Sequence, residues 1–265
     1  MLSLRDETHG PLVRKLDAFE PLPEADRVAL AAVEASAQSV PAGQDLICEG
    51  DRADGLLVIL EGFACRYKLL SNGARQIIAL LVPGDVCDLT SSRLNQMDHA
   101  IGTLSRCRAM WVEPKIVAGL YRRPAVVQAL QTAALADEAT LRVWLISLGR
   151  RSAVERLAHL FCELYMRLCA VELVEGHSYP MPLTQLDLAD TIGITPVHLS
   201  RSVGALTRKG LIERMGKDLK ILDLPRLIEA AEFRADYLQL GGAEAGLTRR
   251  HMVGWNAPNS HTHLP

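Results

Sequence analysis

Residues 183–223 read LTQLDLADTIGITPVHLSRSVGALTRKGLIERMGKDLKILD. The stretch spells out a helix, a tight turn, a second helix and a hairpin. Thr184 can cap the first helix, with Asp187 three residues on as its box partner. Leu186, Leu188, Ala189 and Ile192 give that helix an apolar side, and Gly193 ends it, because glycine accepts the left-handed backbone of a tight turn. Ile194 plugs the turn. Thr195 caps the second helix and Pro196 takes its first position, where a missing N–H costs nothing. Leu199, Val203 and Leu206 recur at spacings of four and three and so face inward. That leaves His198, Ser200, Arg201 and Ser202 to reach outward. Gly210 stops the helix, and LIERMG and LKILD flank Lys217 and Asp218 as a two-stranded wing.

A helix-turn-helix lays its second helix in the major groove with N-terminal residues at base edges. Arg201 is the best reader, since a guanidinium matches the two acceptors of guanine. Thr195, Val197, His198 and Ser200 share the helix's leading end, while Arg208, Lys209, Arg214, Lys217 and Lys220 suit phosphates. Only Glu213 and Asp218 oppose these cations between residues 195 and 220. The competing reading is a winged-helix adaptor that binds protein and keeps this face merely solvated. The basic second helix favours DNA.

A net charge of −2 provides no general attraction for polyanions, so any DNA contact must be a local patch. The chain's 265 residues, 49% of them apolar, suit one large or two modest domains. No apolar run approaches the roughly 18 residues of a membrane span, and the N-terminus MLSLRDETHG has no signal core, so a cytoplasmic protein is expected. Cys48, Cys65, Cys87, Cys107, Cys162 and Cys169 form no C-x-x-C pair and no zinc spacing; reduced thiols packed in the core are expected.

Upstream, residues 10–36 look helical around a Pro-Leu-Pro break. From residue 40 to 112 the apolar runs LLVIL, FACRYKLL, QIIALLV and AMWV alternate with glycine turns, as in a β-roll or β-sandwich. Asn72–Gly73 is the strongest hairpin signal among them. Pro124 opens a long helix to about Gly149, on which Leu130, Ala134, Asp137, Leu141, Trp144 and Leu148 step by four and three. This heptad seam suits side-by-side packing of two copies, with the chain's own roll as the competing surface. Asp137 is costly there unless hydrogen-bonded, and could set register or sense a ligand. Gly149, Arg150 and Arg151 mark a hinge. An amphipathic helix over residues 152–173 follows, with a last short helix over 226–240 and a disordered tail over 241–265. The expected units are therefore 10–123, a sensor roll with N-terminal helices; 124–149, a dimerisation helix; 150–240, the winged helix-turn-helix; and the tail. The fold class is α+β.

This order, with GRRSAVERLAHLFCEL followed by PLTQLDLADTIGITPVHLSR, resembles the Crp/Fnr family of bacterial transcription regulators over about residues 12–240, and within it a subgroup common in alphaproteobacteria. The resemblance implies a cyclic-nucleotide-binding-like roll, a homodimer on palindromic double-stranded DNA, and RNA polymerase as a partner. Arg201 matches the family's guanine-reading arginine and Ser200 a serine of the Fnr branch. Val197 stands where many members carry a glutamate. A valine cannot accept from a cytosine amino group, so the half-site should differ there.

The sensor departs further. Members that bind cyclic AMP carry Gly-Glu and then Arg-Ser for the ribose and phosphate. The corresponding places here read Cys87–Asp88–Leu89 and Met97–Asp98–His99. An anion facing Asp88 and Asp98 without its guanidinium would be repelled, which argues against cyclic AMP. No cysteine precedes Cys48, which argues against an iron–sulfur cluster. Haem stays open, with His99 as the conceivable ligand, and so does a ligand-free regulator. An enzyme on the roll is not expected: residues 40–112 hold one histidine, and the chain has no P-loop, nucleophile elbow or dinucleotide fingerprint.

Overall fold

The apolar runs do pair as strands. The computed structural model describes residues 9–52, 55–87 and 96–240. Helices α1 (Pro11–Phe19) and α2 (Glu24–Glu34) precede β1 (Gln38–Val40), β2 (Asp45–Ile47), β3 (Leu56–Glu61), β4 (Ala64–Leu69), β5 (Arg75–Leu81), β6 (Val86–Cys87), β7 (Ala100–Thr103) and β8 (Cys107–Val112). Two four-stranded antiparallel sheets result, in the orders β1-β8-β3-β6 and β2-β7-β4-β5. The hairpin expected at Asn72–Gly73 joins β4 to β5, with Gly73 at φ 81°.

Strand β3 shows why its run is apolar throughout. Alternate side chains point to opposite faces. Leu57 and Ile59 lie between the sheets with Ile47, Leu81, Ile101 and Met97. Leu56, Val58 and Leu60 meet α1 and the start of α4 instead. Both faces are covered, so neither needs polar residues. The outer face of the other sheet supplies Phe63, Cys65, Ile77 and Leu80 to a third core, which continues into the C-terminal domain.

Helix α3 (Pro114–Leu120) leads to α4 (Pro124–Arg150), whose last turn absorbs Gly149 and Arg150. The break expected there falls at Arg151, in extended backbone, followed by Ser152. Ser152 and Glu155 form a reciprocal capping box that starts α5 (Ala153–Ala170). Then come β9 (Ser178–Pro180), α6 (Gln185–Ile192), α7 (Pro196–Arg208), β10 (Ile212–Met215), β11 (Asp218–Ile221) and α8 (Leu224–Ala231). The wing has three strands rather than two, because Tyr179 of β9 pairs with Leu219. The helix expected over 226–240 stops early: Glu232 turns left-handed at φ 45°, and only a 3-10 turn, Asp236–Leu238, follows. The tail expected over 241–265 lies outside the described residues.

Candidate nucleic-acid interface

The turn between α6 and α7 is held by the residues that predicted it. Thr184 Oγ1 accepts from the Asp187 N–H at 3.1 Å, and Asp187 Oδ2 accepts from the Thr184 N–H at 2.9 Å. Gly193 sits at φ 67° and ψ 47°, where a side chain would be strained. Thr195 Oγ1 caps α7 by accepting from the His198 N–H at 3.3 Å. Leu199 and Leu206 are fully buried, with Val203 packed against the same core.

What remains outside is a broad face: Thr195, Val197, His198, Ser200 and Arg201 are all exposed. Ser202, expected to join them, is 2% exposed and donates to the His198 carbonyl at 3.0 Å. It lies three residues beyond Leu199 and four before Leu206, and so shares their inward face. Arg208 and Lys209 at the end of α7 and Lys217 at the wing tip are exposed as well. Arg214 is exposed too, but Nη2 already donates to the Leu183 carbonyl at 2.9 Å.

The helix that should carry a partner is used differently. Leu130 and Trp144 belong to the chain's own cores, and Trp144 Nε1 donates to Glu163 at 2.9 Å. Asp137 accepts from Arg66 Nη2 of β4 at 3.1 Å, which meets the cost of a carboxylate on that face. Of the six expected seam residues, Leu141 and Leu148 are exposed and Ala134 is half-buried. Leu145, outside that seam, is 73% exposed. The outward side of α4 thus keeps Ala134, Leu141 and Leu148 and has Glu138 and Leu145 in place of Asp137 and Trp144.

The residues expected to line a ligand pocket in the roll are placed just as definitely. Met97 is buried between the sheets. Asp98 is exposed and takes His99 Nδ1 at 2.7 Å, a contact that holds its carboxyl below the usual range and therefore ionised. Lys68 reaches the Asp98 carbonyl but is held by Glu49 at 2.8 Å. Asp88 lies outside the described residues. Residues 97 and 98 thus offer a buried thioether and a carboxylate, a poor fit to a cyclic phosphate. Among the described residues, no group of three or more His, Cys, Asp or Glu could hold a metal ion. Nor is any described helix long and apolar enough to cross a membrane. Five cysteines are buried as expected, burial pushing the Cys65 and Cys169 thiols up to about 12; Cys48 is exposed.

Several contacts gave no sequence signal, because their partners are far apart in the chain. Arg75 of β5 meets Asp187 at 2.6 Å and Asp190 at 2.8 Å, both on α6. Gln76 Nε2 donates to the Asp190 carbonyl at 2.8 Å. Behind α4, Arg167 of α5 bridges Asp85 of the roll and Glu163, and Lys15 of α1 reaches Asp85 at 3.3 Å. Burial alone would raise the Asp85 carboxyl, but Arg167 and Lys15 outweigh it and keep it below its ordinary value.

Residues 37–123 match the cyclic nucleotide-binding domain family and residues 155–230 the Crp-like helix-turn-helix domain family. The chain is 30% identical over 198 residues to the transcriptional activator protein FnrL of Cereibacter sphaeroides, covering 73% of this chain and 79% of that one. The chain belongs to the Crp/Fnr family of transcription regulators. Its likeness to another member, the nitrogen fixation regulation protein FixK of Bradyrhizobium diazoefficiens, is 30% over 189 residues, covering 71% of this chain and 78% of that one. The fold of FixK2 from Bradyrhizobium japonicum superposes with a TM-score of 0.65 at 23% identity, covering 75% of this chain and 98% of that one. A Crp/Fnr regulator thus accounts for both the roll and the winged helix-turn-helix.

Proposed function

We propose that this regulator binds palindromic double-stranded DNA as a homodimer, with α7 in the major groove. The observation that carries the reading is the exposed face formed by Thr195 at the cap of α7 and Val197, His198, Ser200 and Arg201 along it, opposite a buried face. Arg201 is assigned to guanine. Arg208, Lys209 and Lys217 are assigned to phosphates, where they release counterions and make affinity depend on salt. The stripe from Ala134 to Leu148 on α4 is assigned to the second copy, since two half-sites call for two readers related by symmetry.

On this reading the chain acts in the cytoplasm, with RNA polymerase as the partner through which bound DNA is expressed, and it has no catalytic role. Neither cyclic AMP nor an iron–sulfur cluster is assigned as effector. Asp98 would repel a cyclic phosphate. Arg66, which faces α4 from the roll, is already engaged by Asp137.

The test is binding to the preferred site as salt is raised. Wild type should lose affinity steeply with salt, and Arg201→Ala should lose the preference for that site by about ten- to a hundredfold, as one bidentate base contact implies. Equal binding by both proteins would favour the protein-binding adaptor.

A further inference from the structure

Val197 is 65% exposed at the second position of α7, on the outward face of the reading helix. A β-branched apolar side chain left in water there adds nothing to the core, which Leu199 and Leu206 fill from the opposite side. Thr195, His198, Ser200 and Arg201 around it can all donate or accept hydrogen bonds. Val197 can do neither.

Val197 and Arg201 are four residues apart and so share one face of the helix, one turn from each other. Four residues of rise amount to about 6 Å, while successive base pairs are stacked about 3.4 Å apart. The two side chains therefore fall within about two base pairs of each other. Valine in a helix holds essentially one rotamer, so its two methyl groups are presented without loss of side-chain freedom. In the major groove only thymine offers a methyl group, whereas cytosine offers an amino donor that valine would desolvate without replacing its partner.

We propose that Val197 reads the C5 methyl of a thymine within about two base pairs of the guanine assigned to Arg201. This rests on the DNA-binding reading above and gives it a base preference. The methyl itself should be worth about fourfold in affinity, the value of one buried methyl-sized group. Exchanging thymine for cytosine should cost more, because the orphaned amino group adds to the loss.

The experiment uses the full chain and the site selected by it. Each thymine within two base pairs of the half-site guanine is replaced in turn by deoxyuridine, which removes only the methyl. At one such position wild type should bind about fourfold more weakly, while Val197→Ala, exposed and neutral to folding, should bind the two duplexes alike. Val197→Glu, which supplies an acceptor, should move the preference at that pair from thymine to cytosine. Equal binding of thymine and deoxyuridine duplexes by wild type at every position would overturn the inference and leave the DNA-binding reading intact. A selected half-site with no thymine in that window would do the same. Enrichment of no site at all would overturn the DNA-binding reading, and this inference with it.

Discussion

Arg75 on the roll and Asp187 on α6, the first helix of the helix-turn-helix, meet at 2.6 Å, across the two halves of the chain. Asp187 is committed twice. One carboxylate oxygen closes the capping box with Thr184, and the other takes the guanidinium. Asp190, one turn of α6 further on, takes Nε of the same arginine at 2.8 Å. The roll thereby grips the helix that supports α7, so the placement of α7 is tied to the roll as well as to the break in α-helix at Arg151.

Breaking that grip should be measurable without touching the exposed face of α7. Arg75→Ala leaves the buried Asp187 and the largely shielded Asp190 without their cation, and should cost about 1–3 kcal/mol. Urea unfolding measures it, and a double-mutant cycle with Asp190→Ala isolates the pair. Asp190 is the better partner for the cycle because Asp187 also caps α6. A coupling energy near zero would mean that the two halves are not energetically joined here.

Stability should also fall in mild acid through His159. Its ring is buried against Phe233 and Tyr237, with centroids at 5.0 and 6.0 Å. Burial, aided by the charge of Arg151, pulls its pKa down to about 4. In the unfolded chain a histidine titrates near 6.5, so between these values the unfolded state binds the extra proton. The contribution is fully present above about pH 6.5 and is lost as pH falls towards 4, amounting to about 3 kcal/mol. His159→Phe should remove this part of the slope. Parallel pH profiles for the two proteins would argue against a buried neutral imidazole.

On α4, two adjacent residues should separate folding from pairing. Trp144 is in the core, so Trp144→Ala should cost about 3–5 kcal/mol of stability. Leu145 points outward, so Leu145→Arg should shift the sedimentation coefficient from dimer to monomer and cost stability only through the lost pairing, so that its unfolding midpoint no longer depends on protein concentration. If Leu145→Arg still sediments as wild type does, the outward stripe is not where copies meet.

Much of this was legible in the residues. The turn at Gly193, the caps at Thr184 and Thr195, and the hairpin at Asn72–Gly73 are local devices, so the sequence carries them whole. Ser202 was misplaced because small hydroxyl residues suit either face of a helix, and its return bond to the His198 carbonyl lets it be buried. The α4 seam was harder. Helical spacing says which residues share a face but not which surface that face meets, and here the roll and α5 claimed Leu130 and Trp144 before any partner could. The grip of Arg75 and the ion pair of Arg66 with Asp137 join residues that no local pattern connects, so only the folded chain reveals them.

The most direct test of the central claim is selection of preferred sites from a random DNA pool by wild type and by Arg201→Ala in parallel. Wild type should enrich an inverted repeat with half-sites about one helical turn apart, and the variant should lose it. No enrichment by wild type, or the same repeat recovered by Arg201→Ala, would contradict the claim.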